Sequence, residues 1–169
     1  MDKVIRLATI NDAVAIADTK IDAWRSAYRF MVPDALLESL SMQKALPKAK
    51  KWISNPPLNG RLYVFCDNGI VVGHAFFAPP TKISVDVGEL VFIYVKTAYQ
   101  GLGYGSSLVD KGLSYIKDLG CHSVSLWVLT KNHKTRRFYE KLGWKNSGKI
   151  RIHNKNGYKL HETRYTISI

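Results

Sequence analysis

One stretch limits the folds open to this chain. "VGELVFIYV" (87–95) reads as a strand, and "GYGSSLVDKGLSYIKDLG" (103–120) as an amphipathic helix closed by Gly120 at a C′ position. "HSVSLWVL" (122–129) reads as the next strand. The first strand is apolar at nearly every position, as expected when both faces are covered. A strand, helix and strand in this order predict a parallel, right-handed crossover. At its first turn stand Gly101, Gly103 and Gly105. A helix opening leaves its first amides without internal partners, and its dipole adds positive potential. Glycine also lets backbone approach phosphate with no Cβ in the way. The competing account is a connection that only needs unusual φ/ψ.

Spacing tests the common phosphate loops. A dinucleotide fingerprint starting at Gly101 needs glycine where Ser106 stands. A Walker-type loop fails at Ser106 when started from Gly101, and at Leu108 when started from Gly103. What the loop does carry is Q-x-x-G-x-G, from Gln100 to Gly105.

The flanking sequence fits around this unit. "KVIRLA" is a short strand, and "TINDAVAIADTKIDAWRSAY" a helix with Thr9 as N-cap and Asp12 at the capping-acid position. "PDALLESL" and "SMQKALPKAKKWI" read as short helices, with Pro33 in a first turn and Pro47 bending or dividing the second. "RLYVFCD" and "IVVGHAFFA" form a hairpin about Asn68-Gly69. "NHKTRRFYEKLGW" is a helix stopped by Gly143, and the tail gives two strands about Asn156-Gly157. The expected fold is mixed α/β: about seven strands in a mostly antiparallel twisted sheet, one parallel βαβ crossover and flanking helices. Residues 1–169 suit a single domain.

"YQGLGYGSSLV" together with "LWVLTKNHKTRRFYEKLGW" resembles the GNAT superfamily of acetyl-coenzyme A-dependent N-acetyltransferases. The two segments come in the family's order, and "IRLATINDA" and "AWRSAYRFMVPDALLESLS" extend the likeness more weakly. The resemblance implies a cleft between two splayed parallel strands, here "VGELVFIYV" and "HSVSLWVL". Backbone of Ile93, Tyr94 and Val95 would bond the pantetheine arm, and the Val95 N–H would polarise the thioester carbonyl. Gln100, Gly101, Leu102, Gly103, Tyr104, Gly105 and Ser106 would form the pyrophosphate loop. Asn132 would bond the pantetheine or cap the helix that follows it. Tyr139 matches the family's general acid: a phenol of pKa about 10 suits a departing thiolate, whose conjugate thiol has pKa about 8.5. Glu89 is the candidate base, with a water chain as the competing route. Trp24, Tyr28 and Arg29 lie where members shape the acceptor cleft.

The implied activity moves an acetyl group from acetyl-CoA to a primary amine by direct attack in a ternary complex. The alternative is a non-catalytic acyl-CoA-binding regulatory module, or a basic nucleic-acid-binding protein on the same fold. Lysine and arginine number 25 against 13 acidic residues, a net charge of +12 that favours an anionic partner. Nucleic acid is the weaker option, because the chain has neither a C₂H₂ finger nor an RNP1-like run. The acceptor is a small-molecule or protein amine, and a basic chain argues mildly against polycationic ones. No apolar run approaches the roughly 20 residues of a membrane span. Neither a secretory leader nor a disulfide framework is evident, so a cytoplasmic protein with free Cys66 and Cys121 is expected. The histidines and cysteines show no metal-ligand spacing. A homodimer is among the assemblies open to it.

Overall fold

Seven strands form one sheet in the order β1-β2-β3-β4-β5-β7-β6 in the computed structural model, which describes residues 2–82 and 85–169. The strands are β1 (Lys3–Leu7), β2 (Arg61–Asp67), β3 (Ile70–Ala78), β4 (Val87–Val95), β5 (Ser123–Leu129), β6 (Lys145–Lys155) and β7 (Tyr158–Ser168). Only β4 and β5 pair in parallel; the other pairs are antiparallel. The helices are α1 (Ala13–Ala27), α2 (Asp34–Glu38), α3 (Met42–Ser54), α4 (Tyr104–Asp118) and α5 (His133–Lys141).

Local chemistry accounts for the element ends. The Thr9 N–H donates to Asp12 Oδ2 at 2.7 Å, and Arg6 grips the same carboxylate at 2.7 Å. This joins β1 to the start of α1. Asn68-Gly69 and Asn156-Gly157 all have positive φ, as two-residue hairpin turns of the I′ kind require. Pro47 does not divide its segment, contrary to one of the two sequence expectations, for α3 runs across it. Proline withholds one amide there, while Ala49 and Trp52 pack on the sheet and hold the helix together.

The two faces of the sheet bury different clusters. One gathers Leu90, Leu108, Ile116, Leu126 and Tyr139 beneath α4 and α5. The other packs α1 and α3 on Val64, Val71 and Phe76. A third cluster joins Trp24 and the α2 leucines to Leu129 and Leu160. Cys66 and Cys121 are buried free thiols. No helix among the described residues is long and apolar enough to cross a membrane.

Two features of β4 make the site. Its pairing with β5 runs from Val87↔Ser123 to Leu90↔Leu126 and stops, although β4 continues to Val95 and β5 to Leu129. On its other edge Phe76 opposes Phe92 and Phe77 opposes Leu90, so Val91 is an extra residue, a β-bulge. A bulge bends its strand and increases local twist. Here it stands where β4 leaves β5, at the base of a fork.

Candidate active site

The fork presents unused backbone. The Lys96 N–H donates to the Val72 carbonyl at 2.9 Å. This makes Val95–Gly73 a non-hydrogen-bonded pair, so the Val95 N–H and C=O point away from β3 into the fork. Ile93, two residues back, points its own polar groups the same way. The Val95 carbonyl accepts from Gln100 Nε2 at 3.3 Å, and Gln100 Oε1 accepts from Lys134 Nζ at 3.1 Å. The Gln100 side chain thus fastens the tip of β4 to α5, a link that its place in a loop motif does not reveal.

Beyond it, the amides of residues 101–106 have no protein acceptor among the described residues; Ser107 N–H is the first to find one, the Gly103 carbonyl at 3.0 Å. Gly101 and Gly103 have φ of +79° and +83°, in the left-handed region that disfavours any Cβ. Leu102 is exposed. The Tyr104 side chain leaves the loop, stacks on Phe65 and donates to Asp67 Oδ2 at 2.6 Å. Only its backbone faces the turn. Ser106 Oγ donates to the Gly103 carbonyl at 2.7 Å, and a Cβ at Gly105 would meet the Phe138 ring at 3.4 Å. The loop is therefore a row of free N–H groups at a helix start, a fitting cradle for a diphosphate.

A cavity of about 420 Å³ runs from the fork toward α1 and α3. Val95, Gln100, Asn132 and Tyr139 line it at the fork. Asn132 caps α5, accepting from Thr135 N–H at 3.1 Å, and its position in the wall leaves its amide N–H groups available to a ligand. Burial, with the Tyr94 phenol second, pushes the Tyr139 hydroxyl well above the usual tyrosine range. It therefore keeps its proton and can donate it. The Tyr94 phenol accepts from Trp24 Nε1–H at 3.0 Å and is pushed up to about 12, mainly by burial.

Glu89 lies lower, on the paired base of the fork opposite Ala78, and is not part of the cavity wall. Burial raises its carboxyl, against the opposing pull of Arg151 and Arg164. The carboxylate that does line the cavity is Glu162, bound by Arg151 Nε at 2.6 Å. Sequence reading passes over Glu162, as it passes over Lys20, Lys48, Lys155 and His74, which line the same cavity. Each is unremarkable in its own segment, and the topology alone assembles them. Trp24 and Tyr28 do line the cavity, whereas Arg29 lies past the end of α1 against the Phe30 ring. Among the described residues, no group of three His, Cys, Asp or Glu could hold a metal ion.

A model of the acetyltransferase (GNAT) family matches residues 21–144, a span that holds the fork, the loop and Tyr139. An uncharacterized N-acetyltransferase of Bacillus subtilis, YuaI, is 31% identical over 129 residues, covering 76% of this chain and 72% of that protein. An uncharacterized N-acetyltransferase of Mycobacterium bovis is 32% identical over 95 residues, 54% of this chain and 59% of the relative. A GCN5-related N-acetyltransferase from Rhodopseudomonas palustris has the same fold: TM-score 0.82 at 18% identity, over 100% of this chain and 97% of that one. So does the PaiA N-acetyltransferase of Thermoplasma acidophilum, solved with coenzyme A: TM-score 0.72 at 19% identity, over 100% of both chains.

Proposed function

The chain belongs to the acetyltransferase (GNAT) family and is an N-acetyltransferase whose donor is acetyl-CoA, and we propose that it acetylates a primary amine by direct attack within a ternary complex. The observation that carries this reading is the fork that ends in a row of amides, residues 101–106, with no protein acceptor among the described residues. Those amides hold the diphosphate of coenzyme A, while the free edge of Ile93 to Val95 and the Asn132 side chain hold its pantetheine arm. When bound, acetyl-CoA supplies an activated thioester and, on attack, a thiolate leaving group.

The chain's own residues do the rest. The Val95 N–H donates to the thioester oxygen as negative charge gathers there. The Tyr139 hydroxyl, kept protonated by burial, donates to the departing sulfur. The amine proton leaves through water to Glu89, whose raised pKa makes it a better base than an exposed carboxylate. Glu162 stands closer to the cavity but is held by Arg151. We assign it to positioning. The non-catalytic alternative gives Tyr139 and the raised Glu89 no task. A homodimer is also part of this reading, supported by the exposed Ile150 and Ile152 on the edge strand β6; light scattering at several concentrations tests it.

The test is calorimetric titration with CoA, followed by initial rates with acetyl-CoA and an amine panel, read as free CoA. Micromolar binding and intersecting double-reciprocal lines are expected. No CoA binding overturns the reading, and parallel lines overturn the ternary complex.

A further inference from the structure

We propose that the acetyl acceptor is a small primary amine bearing a negatively charged group, a carboxylate or a phosphate, which Lys20, Lys48 and Lys155 hold on the face of the sheet opposite α4. The inference rests on the acetyl-transfer reading and adds the class of acceptor.

Three lysines from three elements, α1, α3 and β6, line one cavity. They are near enough to disturb one another. Burial first, then Lys155 and Lys48, pushes the Lys20 ammonium down to about 8; burial and Lys48 lower Lys155. No ion pair engages any of the three among the described residues, although other cations of this chain find carboxylates: Lys96 with Asp18 at 2.7 Å and Arg6 with Asp12 at 2.7 Å. Lys155 Nζ instead lies 4.4 Å from the centre of the Trp24 ring, at the cavity wall. Glu162 is the only carboxylate among the described residues lining the cavity, and Arg151 already binds it. Like charges gathered in a partly desolvated wall are unfavourable unless an anion joins them.

A fourth group points the same way. His74, on β3, is buried, lines this cavity, and among the described residues has no partner for Nδ1. Burial, with Lys20 second, pushes it down to about 3, so it is a neutral imidazole. A neutral ring with an unsatisfied nitrogen beside Lys20 is a buried hydrogen-bonding group in the cavity wall without its usual partner. The cavity, about 420 Å³ in all, must also take the reacting end of the donor, so the acceptor is small. The same lysines assist chemistry. Their field lowers the pKa of an incoming ammonium, which must lose its proton before it attacks. A diamine or polyamine would bring a second cation against these ammoniums, with the one lining carboxylate, Glu162, already held by Arg151.

The test uses matched amines on the full-length protein: glycine against glycinamide, phosphoethanolamine against ethanolamine, and ethylenediamine as the dication. Free CoA release gives kcat/KM, and calorimetry on the CoA-loaded protein gives binding where turnover is slow. The anionic member of at least one pair is expected to exceed its uncharged partner by roughly 10-fold or more, mainly in KM, as for a charge-assisted contact. The pair with the larger ratio identifies the anion. Lys20→Met and Lys155→Met should bring the ratio close to one while CoA affinity holds, and Lys20→Arg should keep it. Equal use of both members, or preference for the dication, by a protein that binds CoA overturns this inference alone. Failure to bind CoA overturns the acetyl-transfer reading beneath it.

Discussion

On the fork side of the cavity the chain offers backbone: the amides of residues 101–106 and the edge of β4 past Leu90. On the α1 and α3 side it offers side chains: Lys20, Lys48, Lys155 and His74. On the proposed reading the backbone wall takes the features shared by every CoA thioester, and its geometry comes from one contiguous βαβ unit. The side-chain wall draws on elements far apart in sequence. On the same reading, single substitutions there should change the ligand without disturbing how the donor is held. Variants of the first wall should therefore act on CoA and on chemistry, and variants of the second on the choice of amine.

The largest effect is expected at the meeting of the walls. Tyr139→Phe should lower kcat by about 100-fold with little change in CoA affinity, since general acid catalysis contributes roughly that much or more. A Tm near that of wild type would show that packing against Trp144 survives. Unchanged turnover, where chemistry limits the rate, would remove the phenol from the mechanism. Next, Glu89→Gln should cost about 10-fold in kcat and abolish the acid limb of the pH–rate profile. That limb should lie above the ordinary glutamate range, because burial raises this carboxyl and it must be ionised to accept a proton. Glu162→Gln should instead raise KM for the amine. If the two variants behave the other way round, Glu162 is the base.

Gly103→Val probes the backbone wall alone. A β-branched residue at φ +83° costs about 1–2 kcal/mol, roughly 10-fold in CoA affinity, and acceptor preference should not move. Asn132→Ala removes a helix cap worth about 1 kcal/mol. Thermal unfolding reads that loss, and a further fall in CoA affinity would mark a direct contact. The smallest effect lies outside both walls. Arg6 holds the Asp12 carboxyl below its ordinary value, chiefly by hydrogen bonding, so this pair stabilises the fold above the usual carboxylate pKa. Its contribution is lost as pH falls through the lower, folded-state value. With Arg6 partly exposed, Asp12→Asn should lower Tm slightly at pH 7, and by less as the pH falls through the carboxyl's folded-state pKa.

How much of this was legible follows the same division. The order of strands and helices, both Asn-Gly hairpins, the Thr9 cap and the bare loop all rest on chemistry within a few residues, and the sequence displays them. Pro47 misleads because the packing of α3 outweighs one missing amide. Glu89 is a different case. The family resemblance points to it as the candidate base, but where the cavity wall runs depends on which strands separate and where. Lys20 carries no signal at all in "IADTKIDAW", and Lys155 none beyond its place before a turn. The two meet only after the sheet order brings β6 and β7 round beside β5.

Val91, finally, is where β4 changes phase. Before it Leu90 packs beneath α4, and after it Ile93 and Val95 do, while Phe92 and Tyr94 face the other layer. An unbroken alternation would have put Leu90, Phe92 and Tyr94 on one side. Loss of this one residue would leave the facing of everything downstream to Val95 as it is, and would take the bulge, with its bend and added twist, out of the strand where it leaves β5. What Val91 contributes is therefore its backbone more than its exposed side chain: one added residue sets the angle at which the strand enters the fork.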